Sequence, residues 1–319
     1  MEAEYAMFLM EKKYDVVALG ELLVDMAEGP KAESGNMTFE ACPGGAPCNV
    51  LAMLKHLGKQ VAFIGKVGDD FLGHMLKNTI EEVGIDSTGL LVDGNYKTTL
   101  AFVHKKPDGD RDFSFYRNPG ADMMLKKDEV DLNLIESAKI FHFGTLSTTD
   151  KEVKEATFEA VKKAKESGVL VSFDPNLREP LWRSLDDAKE MMLWGIKNCD
   201  ILKISDNEVE FLTGKTDMKA GLEDIKAISS AKVIFVTLGK DGSMAYANGN
   251  YAFKEGFKVE NVVDTTGAGD TFCGTALSYI LDAGVELSEE QLLELLTKAN
   301  KNASEITKKK GALKAIGEI

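Results

Sequence analysis

The sequence predicts a three-layer α/β sandwich in which helices cover both faces of a mainly parallel central sheet. Short apolar runs of strand length alternate with amphipathic segments of helical length for most of the 319 residues. The strand-like runs are apolar without interruption, which is typical of parallel strands that are buried on both faces. One stretch breaks the alternation and predicts a second, smaller sheet.

The elements of the main layers follow from where apolar runs begin and where turn formers stop them. The predicted strands span residues 14–24, 61–67, 140–145, 169–173, 201–204 and 233–238. The predicted helices span residues 45–57, 71–83, 151–166 and 185–197, with a further helix over about 271–281. Three of these helices stop at a glycine, which often follows a helix end. This order of elements favours successive parallel β-α-β units.

The stretch without helices lies between residues 90 and 117. Short β-rich runs at 98–104 and 112–116 surround the turn signal Pro107-Asp108-Gly109. Residues 29–39 are also polar, rich in turn formers and without a helical pattern. We expect a single domain, residues 1–319, with a small β lid formed by about residues 25–43 and 90–120. Because these pieces flank Gly44-Gly45 in sequence, we expect the lid to cover an active site.

Composition argues against several classes of function. Lys+Arg 38 against Asp+Glu 52 gives a formal net charge of -14, which disfavours nucleic acid or an anionic membrane as the main partner. The cysteines form no C-x-x-C pair and the histidines no H-E-x-x-H, so no zinc site is predicted. The chain shows no signal-peptide pattern and no run of about 20 apolar residues, so we expect a cytoplasmic, reduced protein without a membrane span.

The sharpest chemical signal is Asp264-Thr265-Thr266-Gly267-Ala268-Gly269-Asp270, which directly precedes an apolar helical pattern. Glycines at a helix start let the backbone approach a ligand, and the free N–H groups of the first turn stabilise a phosphoryl group. Asp270 would lie beside that group and take a proton from an attacking hydroxyl. The helix N-terminus is expected to lower the pKa of Asp270. An ordinary helix cap with an aspartate in its first turn explains the pattern equally well.

Three common nucleotide signatures are absent. Gly214-Lys215-Thr216 ends like a Walker A loop, but Val209 stands where that loop requires its first glycine. Phe272 stands where a dinucleotide fingerprint starting at Gly267 requires its third glycine. The loops of protein kinases are missing as well. A phosphotransferase with this sequence would therefore belong to none of these three classes.

Residues 264–270 resemble the C-terminal signature of the ribokinase (PfkB) family of carbohydrate kinases. Companion segments at 20–25, 43–50 and 64–73 match the N-terminal signature, so the resemblance covers essentially the whole chain. It implies the family's Rossmann-like sandwich with a small β-sheet lid. Within the family, residues 115–117, 121–122, 174–178 and 181–182 look most like those of fructokinases.

Residue by residue, the resemblance implies a catalytic base and a sugar pocket. Asp270 matches the base, and the backbone of Gly267, Ala268 and Gly269 matches the anion hole. The sugar-binding positions fall on Asp25, Gly44, Gly45 and Asn49, and Arg117 and Arg178 are candidate cations for the substrate or the γ-phosphate. Taken without the family, Asp25 fits a strand-end carboxylate and Gly44-Gly45 a plain turn. The two arginines fit a surface salt bridge or a loop-anchoring hydrogen bond equally well.

The resemblance also implies a nucleotide site. Thr237, Gly239 and Gly242 resemble the loop on the ATP side, Asn300 resembles a position lining the adenine pocket, and Gly267 and Gly269 would meet the phosphates. Without the family context, the loop at 237–242 would be interpreted as a hairpin turn.

Two metal ions are implied in the same way. The region of Asp264 and Thr266 resembles a site for a monovalent cation, so dependence on K+ is a hypothesis. Glu208 matches the glutamate of an Asn-x-x-Glu motif and would act on Mg2+ through water. Ser205 replaces the asparagine of that motif, and a competing register uses Asn207 and Glu210.

These features together predict an ATP-dependent sugar kinase that phosphorylates a primary hydroxyl, with D-fructose giving fructose 6-phosphate. The alternatives within the class are kinases for 2-keto-3-deoxygluconate, ribose or a nucleoside. A non-catalytic sugar- or nucleotide-binding regulator is a different class, disfavoured because Asp270 is retained. An NAD-linked oxidoreductase fits the α/β pattern but lacks the glycine fingerprint. Since an exposed sheet edge is a liability and relatives often pair their lids, we expect a homodimer through the lid.

Overall fold

The structure, a computed structural model, describes residues 12–105, 111–317 and 319. The turn signal Pro107-Asp108-Gly109 lies outside the described residues. So does the stretch 1–11, on which the signal-peptide prediction depends.

Strands and helices alternate along the described chain. The strands are β1 (Tyr14–Leu19), β2 (Leu23–Glu28), β3 (Phe39–Gly44), β4 (Val61–Gly68), β5 (Asp86–Asp93), β6 (Leu100–Lys105), β7 (Arg111–Tyr116), β8 (Ala138–Gly144), β9 (Leu170–Asp174), β10 (Ile201–Ser205), β11 (Val233–Thr237), β12 (Gly242–Ala247) and β13 (Asn250–Glu255). The α-helices are α1 (Ala46–His56), α2 (Phe71–Val83), α3 (Leu132–Glu136), α4 (Lys151–Glu166), α5 (Leu185–Asn198), α6 (Asp206–Thr213), α7 (Met218–Ile228), α8 (Ala268–Ala283), α9 (Glu289–Ile306) and α10 (Leu313–Ile316). Short 3₁₀ turns lie at Ala121–Met124, Lys127–Glu129, Thr145–Thr148, Glu179–Leu181 and Gly239–Asp241. Among the described residues, no helix is both long and apolar enough to cross a bilayer.

The larger sheet confirms the predicted α/β fold. Its strand order is β13-β12-β11-β10-β9-β8-β1-β4-β5, and the pairs from β11 to β5 are parallel. Only the hairpin of β12 and β13 adds antiparallel pairs to the described part of this sheet. Helices supply the crossovers between parallel neighbours, which is how such sheets are connected.

The core explains why the strand-like runs are continuously apolar. Val16 packs in a cluster that includes Leu51 of α1 and Phe272 of α8, on one face of the sheet. The next residue, Val17, packs in the cluster on the opposite face, with Ala156 of α4. Successive side chains of a strand point to opposite faces, so a strand with helices on both faces buries every residue. Each fully buried large apolar side chain contributes about 1.5–3 kcal/mol to stability.

The second sheet confirms the prediction of a smaller β-sheet beside the main layers. Its strand order is β3-β2-β6-β7. β2 and β6 are parallel, whereas the other two pairs are antiparallel. Asp25 lies at the centre of this sheet, paired with Cys42 on one side and Ala101 on the other.

Two sequence-based boundaries are wrong. The predicted strand at 14–24 is two strands, because the chain turns at Gly20, leaves the larger sheet after β1 and enters the smaller sheet as β2. The apolar run of β1 continues past Gly20 to Leu23 and Val24 of β2, and the turn carries no proline, so the pattern shows no break before Asp25. The stretch from residue 90 begins in the larger sheet, since β5 is its edge strand, and the smaller sheet takes over only at Leu100.

The topology brings the candidate residues to one place. Strands β9, β10 and β11 are parallel and end at Asp174, Ser205 and Thr237, so these residues share one edge of the sheet. β1 also ends at this edge and continues directly into the smaller sheet. Ligands of open α/β sheets bind beyond the carboxyl ends of the strands. The smaller sheet therefore stands beside the expected position of a ligand.

Candidate active site

A cavity of about 800 Å³ opens between the two sheets. Asp25 and Phe115 line it from the smaller sheet, and Lys203 and Thr237 line it from the carboxyl ends of the larger sheet. The loop before α8 closes a third side. We call this cavity the cleft. A separate depression of about 520 Å³ lies at the amino ends of β1, β4 and β5, away from these residues.

The first turn of α8 forms one wall of the cleft. Gly267 caps the helix in the left-handed region, with φ 80°, and a Cβ on it would lie 2.6 Å from the Cβ of Ala312. A Cβ on Gly269 would lie 3.1 Å from the Nζ of Lys203. The two glycines therefore let the backbone of this turn pack directly against Ala312 and Lys203. The N–H groups of a first helical turn have no intrahelical acceptor, so this wall can bind an anion.

Asp270 lies in this turn and is joined to α1. The Nδ2 of Asn49 donates a hydrogen bond of 2.8 Å to Oδ2 of Asp270. Asn49 is buried, and its Oδ1 has no hydrogen-bond partner in the described structure. Both residues line the cleft. An unsatisfied buried oxygen is costly, so the Asn49 Oδ1 is suited to accept a hydrogen bond from a ligand.

The pKa of Asp270 is raised to about 6, chiefly because the carboxyl group is shielded from water. The hydrogen bond from Asn49 opposes this rise, whereas the neighbouring carboxylate of Asp174 adds to it. The expectation that the helix N-terminus lowers the pKa of Asp270 is therefore wrong, because desolvation outweighs the favourable charges. A carboxylate with a pKa near 6 is a better proton acceptor than an ordinary aspartate, and it is still ionised at neutral pH.

The predicted sugar-binding residues lie together opposite α8. Asp25, Gly45 and Asn49 line the cleft, and Gly44 touches Asp25, because a Cβ on Gly44 would lie 2.5 Å from its Oδ2. Gly45 has φ 123°, and a Cβ on it would lie 2.4 Å from the carbonyl oxygen of Glu21. The two glycines thus bring the chain entering α1 against β2. Sequence reasoning grouped these four residues correctly in space.

Glu21 is a cleft residue that the sequence analysis did not single out as a site. It is 4% exposed, and its Oε1 accepts a hydrogen bond of 2.9 Å from the backbone N–H of Ala46, the first residue of α1. Burial raises the pKa of Glu21 to about 7. A charged residue inside the apolar run 14–24 was the available signal.

Arg117 does not line the described part of the cleft. Its guanidinium is buried, with Nε donating to Asp122 Oδ2 at 2.7 Å. The other nitrogens donate to Thr149 Oγ1 at 2.8 Å and to the Leu146 carbonyl at 3.0 Å. Arg117 follows β7, and Asp122 also accepts a hydrogen bond from Thr99, which precedes β6. The arginine thus fastens the base of the β6–β7 hairpin to the main layers, where a substrate-contacting side chain was expected.

Arg178 is exposed and lines the cleft. Its Nη1 donates to the carbonyl of Leu177 at 3.2 Å. Arg178 is close enough to Asp270 to oppose the rise in its pKa. This guanidinium is available to an anionic ligand.

A buried ion pair that the sequence analysis missed lies beneath the first turn of α8. The Nζ of Lys203 lies 3.2 Å from Oδ1 and 3.0 Å from Oδ2 of Asp174. Lys203 is 7% exposed, yet it lines the cleft. The pKa of Lys203 is raised, because the attraction of Asp174 and Glu208 exceeds the effect of burial. A lysine within the apolar strand β10 was the signal for this pair.

The predicted nucleotide residues divide into two sets. Thr237 and Gly239 line the cleft, whereas Gly242 and Asn300 are not among its described lining residues. The Nδ2 of Asn300 donates to the carbonyl of Lys254 at 3.0 Å, and its Oδ1 accepts from Ser243 Oγ at 2.8 Å. The carboxamide of Asn300 therefore ties α9 to the β12–β13 hairpin, where a contact with adenine was expected.

Glu208, the glutamate of the preferred register of the implied metal motif, lies at the start of α6. It lines the cleft and forms a capping box with Ser205, whose N–H and Oγ both donate to Glu208 Oε2 at 2.8 Å. Oε1 accepts from the Leu177 N–H at 2.7 Å. Ser205 thus takes the N-cap position, where serine and asparagine serve equally well. In the competing register Asn207 lines the cleft, but Glu210 is not among the described lining residues.

The described residues hold no group of three or more His, Cys, Asp or Glu side chains that could ligate a metal together. Asp264 lines the cleft, and its two oxygens accept from the N–H groups of Thr266, at 2.8 Å, and Gly311, at 3.2 Å. Carboxylate and carbonyl oxygens of this kind suit hard cations.

Known proteins resemble this chain over almost its whole length. The sequence profile of the pfkB family of carbohydrate kinases matches residues 13–317. A probable fructokinase-2 of Arabidopsis thaliana is 42% identical over 308 residues, which are 94% of this chain and 92% of that protein.

Solved structures of similar proteins share the fold. The structure of a fructokinase with bound ATP from Xylella fastidiosa has a TM-score of 0.86 and 30% identity, and covers 94% of each chain. A fructokinase double mutant from Vibrio cholerae O395, with fructose, ADP and a potassium ion bound, has a TM-score of 0.84 and 29% identity, and covers 96% of each chain.

Proposed function

The chain belongs to the pfkB family of carbohydrate kinases, and from this premise we propose that it uses ATP to phosphorylate fructose at a primary hydroxyl, giving fructose 6-phosphate. Relatives named fructokinases that align with about 94% of the chain support fructose as the substrate. The observation that carries the chemistry is the hydrogen bond between Asn49 and Asp270 beside the anion-binding turn of α8.

The sugar would lie between Asp25, the Gly44-Gly45 backbone and Asn49. The Asp25 carboxylate accepts hydrogen bonds from hydroxyls, and Asn49 offers its unpartnered Oδ1 to another hydroxyl. Two glycines leave room for a sugar ring close to the backbone. A sugar in this position would have a hydroxyl beside Asp270, which is held by the same Asn49.

Asp270 is the proposed general base. Its ionised carboxylate takes the proton from the primary hydroxyl, and the oxygen forms a bond to the γ-phosphorus while the bond to the β,γ-bridging oxygen breaks. The electron pair of the broken bond leaves with ADP. The backbone N–H groups of Gly267, Ala268 and Gly269 stabilise the charge on the transferring group.

ATP would lie along the loop after β11 and the start of α8, on Thr237, Gly239, Gly267 and Gly269. Arg178, which is exposed at the rim, would face its phosphates. Because the smaller sheet covers the other side of the sugar, closure would exclude water and limit the hydrolysis of ATP.

Mg2+ and K+ are the proposed ions. Glu208 would hold Mg2+ through water, since its Oε1 accepts a single protein hydrogen bond, from the Leu177 N–H, and retains a lone pair for water. Mg2+ bound there neutralises charge on the ATP phosphates. Asp264 and the backbone near Thr266 would hold K+, which is supported by the potassium-bound relative.

A homodimer through the lid is the proposed assembly. Phe102 contacts Phe39 and Tyr116 with ring centroids 5.1 and 5.2 Å apart, on the face of the smaller sheet opposite Asp25. Phe39 is 38% and Tyr116 66% exposed. Exposed aromatic clusters of this kind are typical of interfaces. Light scattering at micromolar concentration is expected to give twice the mass of the chain, and a monomeric mass would contradict the dimer.

We propose a cytoplasmic location. The four cysteines of the chain are free thiols in the structure, and three of them are buried. Unpaired thiols are typical of reducing compartments.

A substrate panel tests the proposed function. ADP release with Mg-ATP is measured on fructose, ribose, 2-keto-3-deoxygluconate, glucose and adenosine. Turnover highest on fructose is the expected result. Turnover highest on another member of the panel would keep the kinase reaction and remove fructose as its substrate.

A further inference from the structure

The ammonium group of Lys203 has no role in the reaction described so far, although it lies beside the anion-binding turn. A Cβ on Gly269 would lie 3.1 Å from its Nζ, so the ammonium group is packed against the backbone of that turn. Lys203 is also close enough to Asp270 to oppose the rise in its pKa. Three features that attract anions therefore meet in one place: the lysine, the glycine backbone and the helix N-terminus.

The acidic neighbours of Lys203 keep it charged and hold it in place. Asp174 lies 3.0 Å from its Nζ, and the attraction of Asp174 and Glu208 outweighs the cost of burial. The lysine nevertheless lines the cleft, so a ligand there can reach its ammonium group. A phosphoryl group bound against the first turn of α8 would therefore meet a cation as well as the backbone N–H groups.

We propose that Lys203 is a further catalytic residue, whose ammonium group contacts the γ-phosphoryl group during transfer, and that Asp174 is the positioning residue that aims it. The proposal rests on the proposed kinase function. Lys203 stabilises the equatorial phosphoryl oxygens from beneath, while the N–H groups of Gly267–Gly269 stabilise them from the helix. Asp174 prevents the ammonium group from pairing with Asp270, which keeps that carboxylate available as the base.

Substitution of Lys203 in the full chain tests this role. Lys203→Met is expected to lower kcat at least ~100-fold, as the loss of one preorganised donor does, with the KM for fructose within about threefold. Lys203→Arg keeps the charge and should retain much more activity than Lys203→Met. Asp174→Asn should lower kcat less than Lys203→Met does. Lys232→Met is the matched control, since Lys232 also pairs with an aspartate, Asp200, at 3.5 Å, but lies before β11 and outside the cleft.

Nucleotide binding gives a second test that needs no sugar. Isothermal titration compares ADP with its β,γ-imido triphosphate analogue, with Mg2+ present. In Lys203→Met, the preference for the triphosphate over ADP is expected to fall at least about tenfold relative to the parent chain. A folded Lys203→Met protein with kcat within threefold of the parent, or with an unchanged preference, would overturn the role of Lys203. A parent chain that turns over no sugar would instead overturn the proposed function, and the binding ratio would still decide for or against Lys203.

Discussion

Asn49 donates a 2.8 Å hydrogen bond to Asp270 across 221 residues of sequence. The bond joins the first turns of α1 and α8, whose N-termini both face the cleft. One side chain thus lies on the proposed sugar side of the cleft and the other on the proposed phosphate side. The proposed acceptor hydroxyl and the proposed base are therefore aligned by a direct contact between protein groups.

The activity of the chain should depend on the ionisation of Asp270. Because the pKa of Asp270 is raised to about 6 and the base must be unprotonated, kcat/KM for fructose should fall as pH decreases through about 6. A pH profile from 4.5 to 8 measures this, with thermal unfolding at each pH to exclude loss of the fold. Activity that stays constant down to pH 4.5 would contradict the assignment of the base.

Asn49→Ala should shift the acidic limb of the pH profile, which is the fall in kcat/KM at low pH. The hydrogen bond from Asn49 lowers the pKa of Asp270, so its removal should raise that pKa and shift the limb to higher pH. The KM for fructose should rise as well, because the variant loses the Oδ1 acceptor. Thr79→Ala serves as a control, since Thr79 is a buried polar residue of α2 whose hydroxyl bonds only its own helix. A limb that stays at the parent's pH would show that Asn49 does not tune Asp270.

The main layers were predictable because each strand between two helical layers must be apolar throughout. Helices such as Phe71–Val83 and Lys151–Glu166 have the predicted bounds, because a glycine or serine-glycine turn ends each of them. The break between β1 and β2 was not predictable, since the apolar run continues past Gly20 to Val24 although the chain passes there from one sheet to the other. The edge strand Asp86–Asp93 has mixed burial and resembles hairpin material in sequence.

The candidate site was predictable where a motif keeps its residues close in sequence. Residues 264–270 and 43–50 each place backbone and side chain on the first turn of a helix, so their positions followed from the sequence. The hydrogen bonds of Arg117 with Asp122 and of Asn300 with Ser243 could not be predicted, because they are set by tertiary packing. Lys203 and Glu21 were missed for the same reason, since a charge within an apolar run of sequence says nothing about which neighbour balances it.

Gly45→Ala should destabilise the protein far more than a comparable substitution elsewhere. The added Cβ would lie 2.4 Å from the Glu21 carbonyl oxygen, and φ 123° is unfavourable for alanine. We expect a loss of more than about 3 kcal/mol in the free energy of unfolding, or no folded protein. Gly58→Ala is the matched control, since Gly58 has φ 80° and open space around it, and its loss should be about 1–2 kcal/mol. If urea unfolding gave the two variants equal losses of unfolding free energy, the close approach at Gly45 would be contradicted.

Arg117→Met should destabilise the base of the β6–β7 hairpin. The substitution leaves the buried Asp122 without its cation, which typically costs about 3–5 kcal/mol of unfolding free energy. Adding Asp122→Leu removes the stranded carboxylate and should recover part of that loss. Lys298→Met, which removes the partner of Glu294 in an exposed ion pair, should change stability by less than about 0.5 kcal/mol. A double variant no more stable than Arg117→Met would contradict this account of the pair.

The most direct test of the central claim compares the parent chain with Asp270→Asn in fructose-dependent ADP release at pH 7.5. Asparagine keeps the shape and the partner of Asp270 but cannot accept the proton, so kcat should fall at least ~100-fold. The variant should be at least as stable as the parent, because burial disfavours the ionised carboxylate that it replaces. A folded Asp270→Asn protein with kcat within tenfold of the parent would show that Asp270 is not the base.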